Sequence, residues 1–254
     1  MLKYFDTHAH YIDERFSEDR EKLLEFLKNE GNVDYIVNVG YDIESSVQAV
    51  ELSKKFDFCY SVIGVHPHDA DSVTPDDYDF LRKLSENKKV VAIGETGLDY
   101  HYDNSDREKQ KKEFANHLDL AKELNLPIVI HSRDATKDTL DIIAQKDNTG
   151  VFHCFAGSVE TAKIVLNKGY YISFAGTVTY KNASNLKEVA AYVPSDRFVI
   201  ETDCPYLAPV PVRGERNTSY NLKYIVEEIA SLRGDTPENI AKLSMENAKR
   251  LFGV

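Results

Sequence analysis

Eight short apolar runs recur along the chain, and they constrain its fold more than any other feature. Short apolar runs bounded by polar residues are typical of buried β-strands. Between consecutive runs lie segments with helical periodicity, the clearest of which spans residues 222–229 with apolar residues at i, i+3, i+4 and i+7. Strands that alternate with helices predict right-handed βα units and a parallel sheet. The runs occupy residues 4–5, 35–39, 59–65, 90–93, 127–130, 151–152, 170–174 and 198–200.

The number of runs and the length of the chain together favour one closed barrel. Eight parallel strands are what such a barrel requires, and about 250 residues is its usual size. The chain has 254 residues, and no linker, composition break or low-complexity tract divides it. The sequence therefore predicts a (β/α)8 TIM barrel, an α/β fold, that forms a single domain over residues 1–254.

The composition indicates a globular protein of the cytoplasm. Hydrophobic residues make up 42% of the chain and charged residues 29%, and no stretch approaches the roughly 20 apolar residues of a membrane-spanning helix. The start lacks the apolar region of a signal peptide. Cys59, Cys154 and Cys204 are odd in number and far apart, so they predict neither a disulfide framework nor a zinc ribbon. We expect no membrane association and no obligate protein partner.

The formal net charge of −11 argues against a diffuse basic surface for nucleic acid. Polyanions bind clustered Lys and Arg side chains, which this chain does not supply over a wide face. A substrate that carries phosphate would have to be held locally, by bound cations and a few arginines.

Metal-type side chains stand where several of the apolar runs end. A lone histidine is usually a packed structural residue. His8 and His10, however, are two apart on an extended segment, so both point to the same side and can bind one ion. His131 and His153 follow the fifth and sixth runs, which are neighbours in a barrel, and can bind a second ion.

Two carboxylates complete this predicted binuclear site. Asp203 follows the eighth run, beside the first in a closed ring, and Glu95 follows the fourth run, next to the one that precedes His131. A carboxylate has two oxygens, so Glu95 can bridge both cations at a separation of about 3.5–4 Å. The predicted ligands are His8, His10, Glu95, His131, His153 and Asp203.

The predicted chemistry is hydrolysis by activated water. Two cations would lower the pKa of a water from about 15.7 toward neutrality and polarise a phosphoryl oxygen. Asp203 and Glu95 are the candidate catalytic carboxylates. Asp203 would bind metal and orient or deprotonate the water, or would serve only as a ligand.

The sequence also resembles the TatD-like metal-dependent deoxyribonucleases of the amidohydrolase-type barrels. This resemblance implies the (β/α)8 barrel, hydrolysis of phosphodiester bonds in DNA, the same six ligands, and support of turnover by magnesium. The chain departs from the family at residues 217–219, where similar proteins often have an acidic or amide residue followed by proline. The resemblance is carried by DTHAH at 6–10, GVHPH at 64–68, IGETGLDY at 93–100, IHSR at 130–133, HCFAG at 153–157, ETDCPYL at 201–207 and RG at 213–214.

Four further residues are candidates for substrate binding. Arg133 can form a forked hydrogen bond to phosphate, or a salt bridge to Asp134 or another acid. His66 and His68 follow the third run and would contact substrate or an additional ion, and His66 would alternatively brace its loop. Arg213 lies in a long loop after the eighth run, near the predicted mouth.

Two other functions remain open at this stage. The first is an amidohydrolase-type hydrolase of a small cyclic amide, lactone or phosphoester, although many such enzymes bridge their metals with a carboxylated lysine. The second is a non-catalytic, metal-stabilised binding protein. A purely structural metal site, however, does not require six ligands at an open rim. The donor set fits two divalent ions per subunit and leaves Mg²⁺, Mn²⁺ and Zn²⁺ as alternatives.

Overall fold

The computed structural model describes residues 2–254, so Met1, where the predicted domain begins, lies outside the described residues. Eight parallel strands follow one another around a barrel in chain order, β1 to β8. The predicted (β/α)8 barrel is confirmed. The strands are β1 (Tyr4–Ala9), β2 (Val33–Val39), β3 (Cys59–Ile63), β4 (Val90–Asp99), β5 (Ile128–Arg133), β6 (Gly150–Phe152), β7 (Tyr171–Phe174) and β8 (Phe198–Ile200).

A helix follows each strand, and a ninth ends the fold. The apolar face predicted at residues 222–229 is buried on α8, and Thr236 caps α9 by accepting a hydrogen bond from the Asn239 N–H at 3.2 Å. Within residues 2–254, every helix is too short or too polar to cross a membrane. The helices are α1 (Arg20–Asn29), α2 (Ile43–Lys55), α3 (Pro75–Ser85), α4 (Arg107–Leu124), α5 (Thr136–Ala144), α6 (Val159–Asn167), α7 (Ser184–Tyr192), α8 (Leu222–Arg233) and α9 (Pro237–Phe252).

Apolar side chains fill the barrel near the beginning of its strands. Every strand contributes at least one residue to this cluster, mostly valines such as Val37, Val129 and Val199. Helix α9 closes this end, where the Phe252 ring lies 6.1 Å from the ring of Phe5. Because one end is packed with apolar residues, the polar side chains gather at the other end, where the strands finish.

Two strands continue beyond the apolar runs that predicted them. β4 pairs with β5 as far as Asp99 and Arg133, so Glu95 and His131 lie within their strands rather than after them. All ten residues of β4 are buried. The apolar pattern stops early because the later part of β4 buries polar side chains, which bond to histidines of other elements. Hydrophobicity does not report such a segment.

Irregular contacts join β8 to β1. β8 ends at Ile200, three residues before Asp203, and the segment that follows forms a single bridge between Cys204 and Ala9. The Asp203 N–H donates to the His8 carbonyl at 2.9 Å, and the His10 N–H donates to the Cys204 carbonyl at 2.8 Å. These bonds place Asp203 directly beside His8 and His10.

Candidate metal centre

Glu95 lies at the centre of a cluster of four histidines at the end of the barrel where the strands finish. Its side chain is 5% exposed. Oε2 lies 3.2 Å from His8 Nε2, whereas Oε1 lies 2.8 Å from His153 Nε2 and 2.9 Å from His131 Nδ1. The two oxygens of one carboxylate therefore face two different sets of imidazoles.

His8, His10 and Asp203 form the set on the Oε2 side. The Nε2 atoms of the two histidines are 3.2 Å apart, and Asp203 Oδ1 lies 3.3 Å from His10 Nε2 and 3.7 Å from His8 Nε2. Donors about 2.0–2.1 Å from a tetrahedral ion would be separated by about 3.3–3.4 Å. The spacing of these donors fits a divalent cation.

The hydrogen bond at the far side of His10 supports this fit. His10 Nδ1 lies 2.9 Å from the Val39 carbonyl oxygen, which can only accept, so Nδ1 carries the proton. In the neutral ring, Nε2 then has a free lone pair that faces His8 Nε2. Two ring nitrogens at this distance are the arrangement expected of ligands to one metal ion.

A carboxylate outside the cluster lies beside each of the other two rings, and the one beside His131 bonds to it. His131 Nε2 donates to Asp99 Oδ2 at 3.0 Å, which directs its Nδ1 toward Glu95. Glu201 Oε1 lies 3.3 Å from His153 Nδ1. Sequence reasoning assigned neither Asp99 nor Glu201 a role. Both lie in segments that carried the family resemblance, and that resemblance could have identified them as functional residues.

His66 and His68 lie at the edge of the same cluster. His66 Nδ1 accepts the His68 N–H at 3.2 Å, so the neutral ring carries its proton on Nε2, which lies 3.5 Å from Glu95 Oε1. His68 Nε2 donates to Asp99 Oδ2 at 3.1 Å. His66 is thereby placed as a donor directed into the centre, and His68 as part of its outer wall.

Comparison with known proteins places the chain in a family. The family model described as TatD related DNase matches residues 5–253. The chain belongs to the TatD family. The uncharacterized metal-dependent hydrolase YabD of Bacillus subtilis is 47% identical over 98% of this chain and 99% of its own length. Like its relatives, this TatD family member is a metal-dependent hydrolase.

Two further relatives support the same assignment. The 3'-5' ssDNA/RNA exonuclease TatD of Erwinia tasmaniensis is 34% identical over 98% of this chain and 100% of its own length. The solved structure of YJJV, a TatD homolog from Escherichia coli, is 28% identical, covers 99% of this chain and 98% of its own, and superposes with a TM-score of 0.92.

The predicted arginines lie on rim tyrosines. The guanidinium carbon of Arg133 lies 4.8 Å from the ring centre of Tyr102, and that of Arg213 lies 4.4 Å from the ring centre of Tyr180. The alternative salt bridge of Arg133 to Asp134 is not formed, since Asp134 Oδ2 lies 3.0 Å from His101 Nδ1 instead. Among residues 2–254, neither arginine has a carboxylate within 4.0 Å, so both charges are available to an anion.

In this TatD family site, neighbouring groups shift the pKa values of Glu95 and His153 in the directions that favour their ionised forms. Burial acts to raise the pKa of Glu95, but the charge of His153 acts more than any other neighbour to hold it well below its ordinary value. Burial acts to lower the pKa of His153, but Glu95 and Glu201 hold it well above. Glu95 and His153 therefore lie where negative and positive charge stabilise each other. The same carboxylate oxygens would stabilise a divalent cation bound there.

Proposed function

We propose that this TatD family hydrolase is a deoxyribonuclease that removes nucleotides from an end of DNA by means of two divalent cations. The observation that carries the proposal is the two-sided environment of Glu95, whose oxygens face His8 on one side and His131 and His153 on the other. A bridging carboxylate between two imidazole sets is the arrangement that two-metal hydrolysis needs.

Each cation would have its own ligands. His8, His10 and Asp203 would hold one ion together with Glu95 Oε2, and His131 and His153 would hold the other together with Glu95 Oε1. Divalent cations held there would acidify a water and polarise a phosphoryl oxygen. Mixed imidazole and carboxylate donors accept Zn²⁺ and Mn²⁺ well and Mg²⁺ less strongly, so the ion that supports turnover is a matter for experiment.

Asp203 is the carboxylate best placed to orient the attacking water. Its side chain is 15% exposed, compared with 5% for Glu95, so it reaches the open side of the cluster. Burial acts to raise the pKa of Asp203, but hydrogen bonding to His10 is the largest of the effects that lower it overall. The side chain is therefore ionised and can accept a proton from the water at neutral pH.

His66 would stabilise charge on the phosphate. The hydrogen bond from the His68 N–H fixes its proton on Nε2, directed into the centre. Burial lowers the pKa of His66 to about 4, so the ring is neutral and remains a single N–H donor. A donor aimed at the position where charge develops is the usual means of stabilising such a transition state.

Local positive charge would hold the rest of the substrate. Arg133 and Arg213 lie on rim tyrosines and have no carboxylate partner within the described part of the chain, and His68 forms the wall between Asp99 and Tyr102. Because the chain carries a net charge of −11, these groups and the cations would provide the attraction for phosphate. The Erwinia tasmaniensis relative, named as an exonuclease for single-stranded DNA and RNA, is consistent with such a substrate.

The test is digestion of single-stranded DNA labelled at either end, with Mg²⁺, Mn²⁺, Zn²⁺ or a chelator. We expect stepwise shortening that the chelator abolishes, and the choice of label reveals the polarity. Glu95→Ala and Asp203→Ala should each lose more than about a hundredfold in rate, because even outer partners of a metal site are worth about ten- to a hundredfold. Circular dichroism checks that both variants are folded.

A matched control tests whether activity is lost because the site is damaged or because the protein has lost a negative charge. Glu246, an exposed glutamate on α9, pairs only loosely with Lys242 at 3.9 Å, and Glu246→Ala should digest DNA at the wild-type rate. Intact DNA under every metal, together with turnover of a lactone or dihydropyrimidine, would favour the cyclic amide and lactone hydrolases. Metal-loaded protein that is inert toward all these substrates would favour a binding protein.

A further inference from the structure

Two tyrosines beside His10 leave much of their rings exposed. Tyr41 is 38% exposed and Tyr206 is 47% exposed. Their ring centres lie 5.9 Å and 6.2 Å from that of His10, in edge-on arrangements. Large aromatic rings normally bury most of their area, so two exposed rings in contact with one ligand histidine require an explanation.

The fold brings these two rings to His10 from opposite sides of β1. Tyr41 follows β2, which pairs with β1 on one side. Tyr206 follows the segment after β8, which bridges to β1 at Ala9 on the other side. The rings therefore flank the strand that carries His8 and His10, and they border the place where a scissile phosphate would bind.

A cavity of about 460 Å³ opens beside Tyr41, within the size range of ligand sites. Its charged lining consists of four carboxylates and one guanidinium, from Asp13, Glu14, Asp42, Glu44 and Arg15. This excess of negative charge repels a phosphate group. A neutral base, whose edge carries N–H donors, would instead find acceptors there.

Arg15 braces one of the tyrosines and does not offer a free charge. Its guanidinium forms a forked pair of hydrogen bonds to Asp13, at 2.9 Å and 2.7 Å, and its central carbon lies 4.1 Å from the ring centre of Tyr206. The Tyr206 hydroxyl also donates to Asp13 at 3.3 Å. The ring of Tyr206 is thus held in place before any substrate arrives, which lowers the cost of binding.

We propose that Tyr41 and Tyr206 form a nucleobase-stacking subsite in which a base next to the scissile phosphate packs on these rings, with its edge toward the acidic cavity. The inference rests on the proposed nuclease function. Stacking on aromatic rings tolerates every base and requires an unpaired one, so the subsite selects single-stranded ends without selecting sequence.

The experiment removes the base and the rings separately and together. Oligonucleotides carry one abasic residue at the first, second or third position from the digested end, and wild-type enzyme is compared with the Tyr41→Ala, Tyr206→Ala double variant. We expect one abasic position to raise the KM of the wild type by about tenfold, with little change in kcat. The double variant should have a similarly raised KM for intact DNA and should not distinguish abasic from intact substrate.

Two controls make the result specific. The Tyr41→Phe, Tyr206→Phe variant keeps both rings and should keep the abasic penalty. Tyr192 is 45% exposed on α7, where it contacts Lys163, and Tyr192→Ala should behave as wild type. Metal content of the alanine variants, measured by elemental analysis, should equal that of the wild type.

An equal abasic penalty in the wild type and the double alanine variant would overturn the inference, since the base would then be bound elsewhere. So would the absence of any abasic penalty in a wild-type enzyme that digests intact DNA. In both cases the nuclease function would stand. Failure of the wild type to digest any DNA would instead overturn the proposed function, and the subsite with it.

Discussion

Asp99 links two histidines at the mouth of the barrel through a single carboxylate. Oδ2 accepts hydrogen bonds from His131 Nε2 and His68 Nε2, while Oδ1 accepts the backbone N–H groups of His101 and Tyr102 at 3.0 Å and 2.9 Å. Burial acts to raise the pKa of Asp99, but these hydrogen bonds lower it overall. An ionised Asp99 fixes the proton of His131 on Nε2 and leaves Nδ1 free to bind metal.

Asp99→Asn should therefore weaken metal binding without unfolding the protein. The amide has one acceptor oxygen where the carboxylate has two, so it cannot accept all four hydrogen bonds. We expect the affinity for Mn²⁺ to fall by about ten- to a hundredfold, measured by titration calorimetry. Asp134→Asn is the control, because Asp134 is exposed and pairs with His101, outside the cluster around Glu95. Equal affinities for the two variants would show that Asp99 does not orient His131.

At the residue scale, the sequence predicted which polar side chains would lie close together but not which contacts hold them in place. His8, His10 and Glu95 could be chosen because each lies close to the end of an apolar run. Asp99 bonds to a ring on the neighbouring strand and Glu201 lies beside the ring of His153, and these contacts depend on distances that the linear pattern does not contain. The sequence did not mark Tyr41 as a functional residue, since a single tyrosine after a strand is usually a packing residue.

At the scale of elements, the junction between β1 and β8 replaces a regular ladder with buried side-chain bonds. Asp6 Oδ1 accepts the Thr202 N–H at 2.9 Å, and Oδ2 accepts the hydroxyls of Thr202 and Ser219 at 2.5 Å and 2.6 Å. The Thr7 hydroxyl donates to the Ile200 carbonyl at 3.0 Å. Burial raises the pKa of Asp6 to about 7, although the bonds from Ser219 and Thr202 act to lower it.

Asp6→Ala should destabilise the barrel, because it leaves the buried N–H and hydroxyl of Thr202 and the hydroxyl of Ser219 without this acceptor. We expect the free energy of unfolding to fall by about 3 kcal/mol, measured by urea denaturation of chelator-treated protein so that bound metal does not contribute. Asp196→Ala, at an exposed carboxylate before β8, should change it by less than about 0.5 kcal/mol. Equal stability of the two variants would mean that the network at Asp6 does not hold the junction together.

The order of the elements could be predicted from sequence, whereas some of their ends could not. Apolar runs identified all eight strands because burial in a parallel sheet requires them. β4 extends past its run to Asp99 because Glu95, Thr96 and Asp99 are buried in polar surroundings. The segment from Glu201 to Asp203 follows β8 without forming part of it, since its bonds to β1 are largely made by side chains.

At the scale of the whole molecule, the two ends of the barrel have different tasks. The end covered by α9 is filled by apolar side chains from every strand, and it supplies stability. The opposite end holds buried ionisable groups around Glu95, an arrangement that costs desolvation energy and is retained when it serves a function. The rim arginines and tyrosines lie on that same end.

The central claim is that Glu95 bridges two cations. The most direct test is a crystal structure of the protein grown with Mn²⁺, with anomalous diffraction measured near the manganese absorption edge. We expect two anomalous peaks about 3.5–4 Å apart, one among His8, His10 and Asp203 and one beside His131 and His153, with Glu95 between them. A single peak under saturating Mn²⁺, or peaks that do not contact Glu95, would contradict the account.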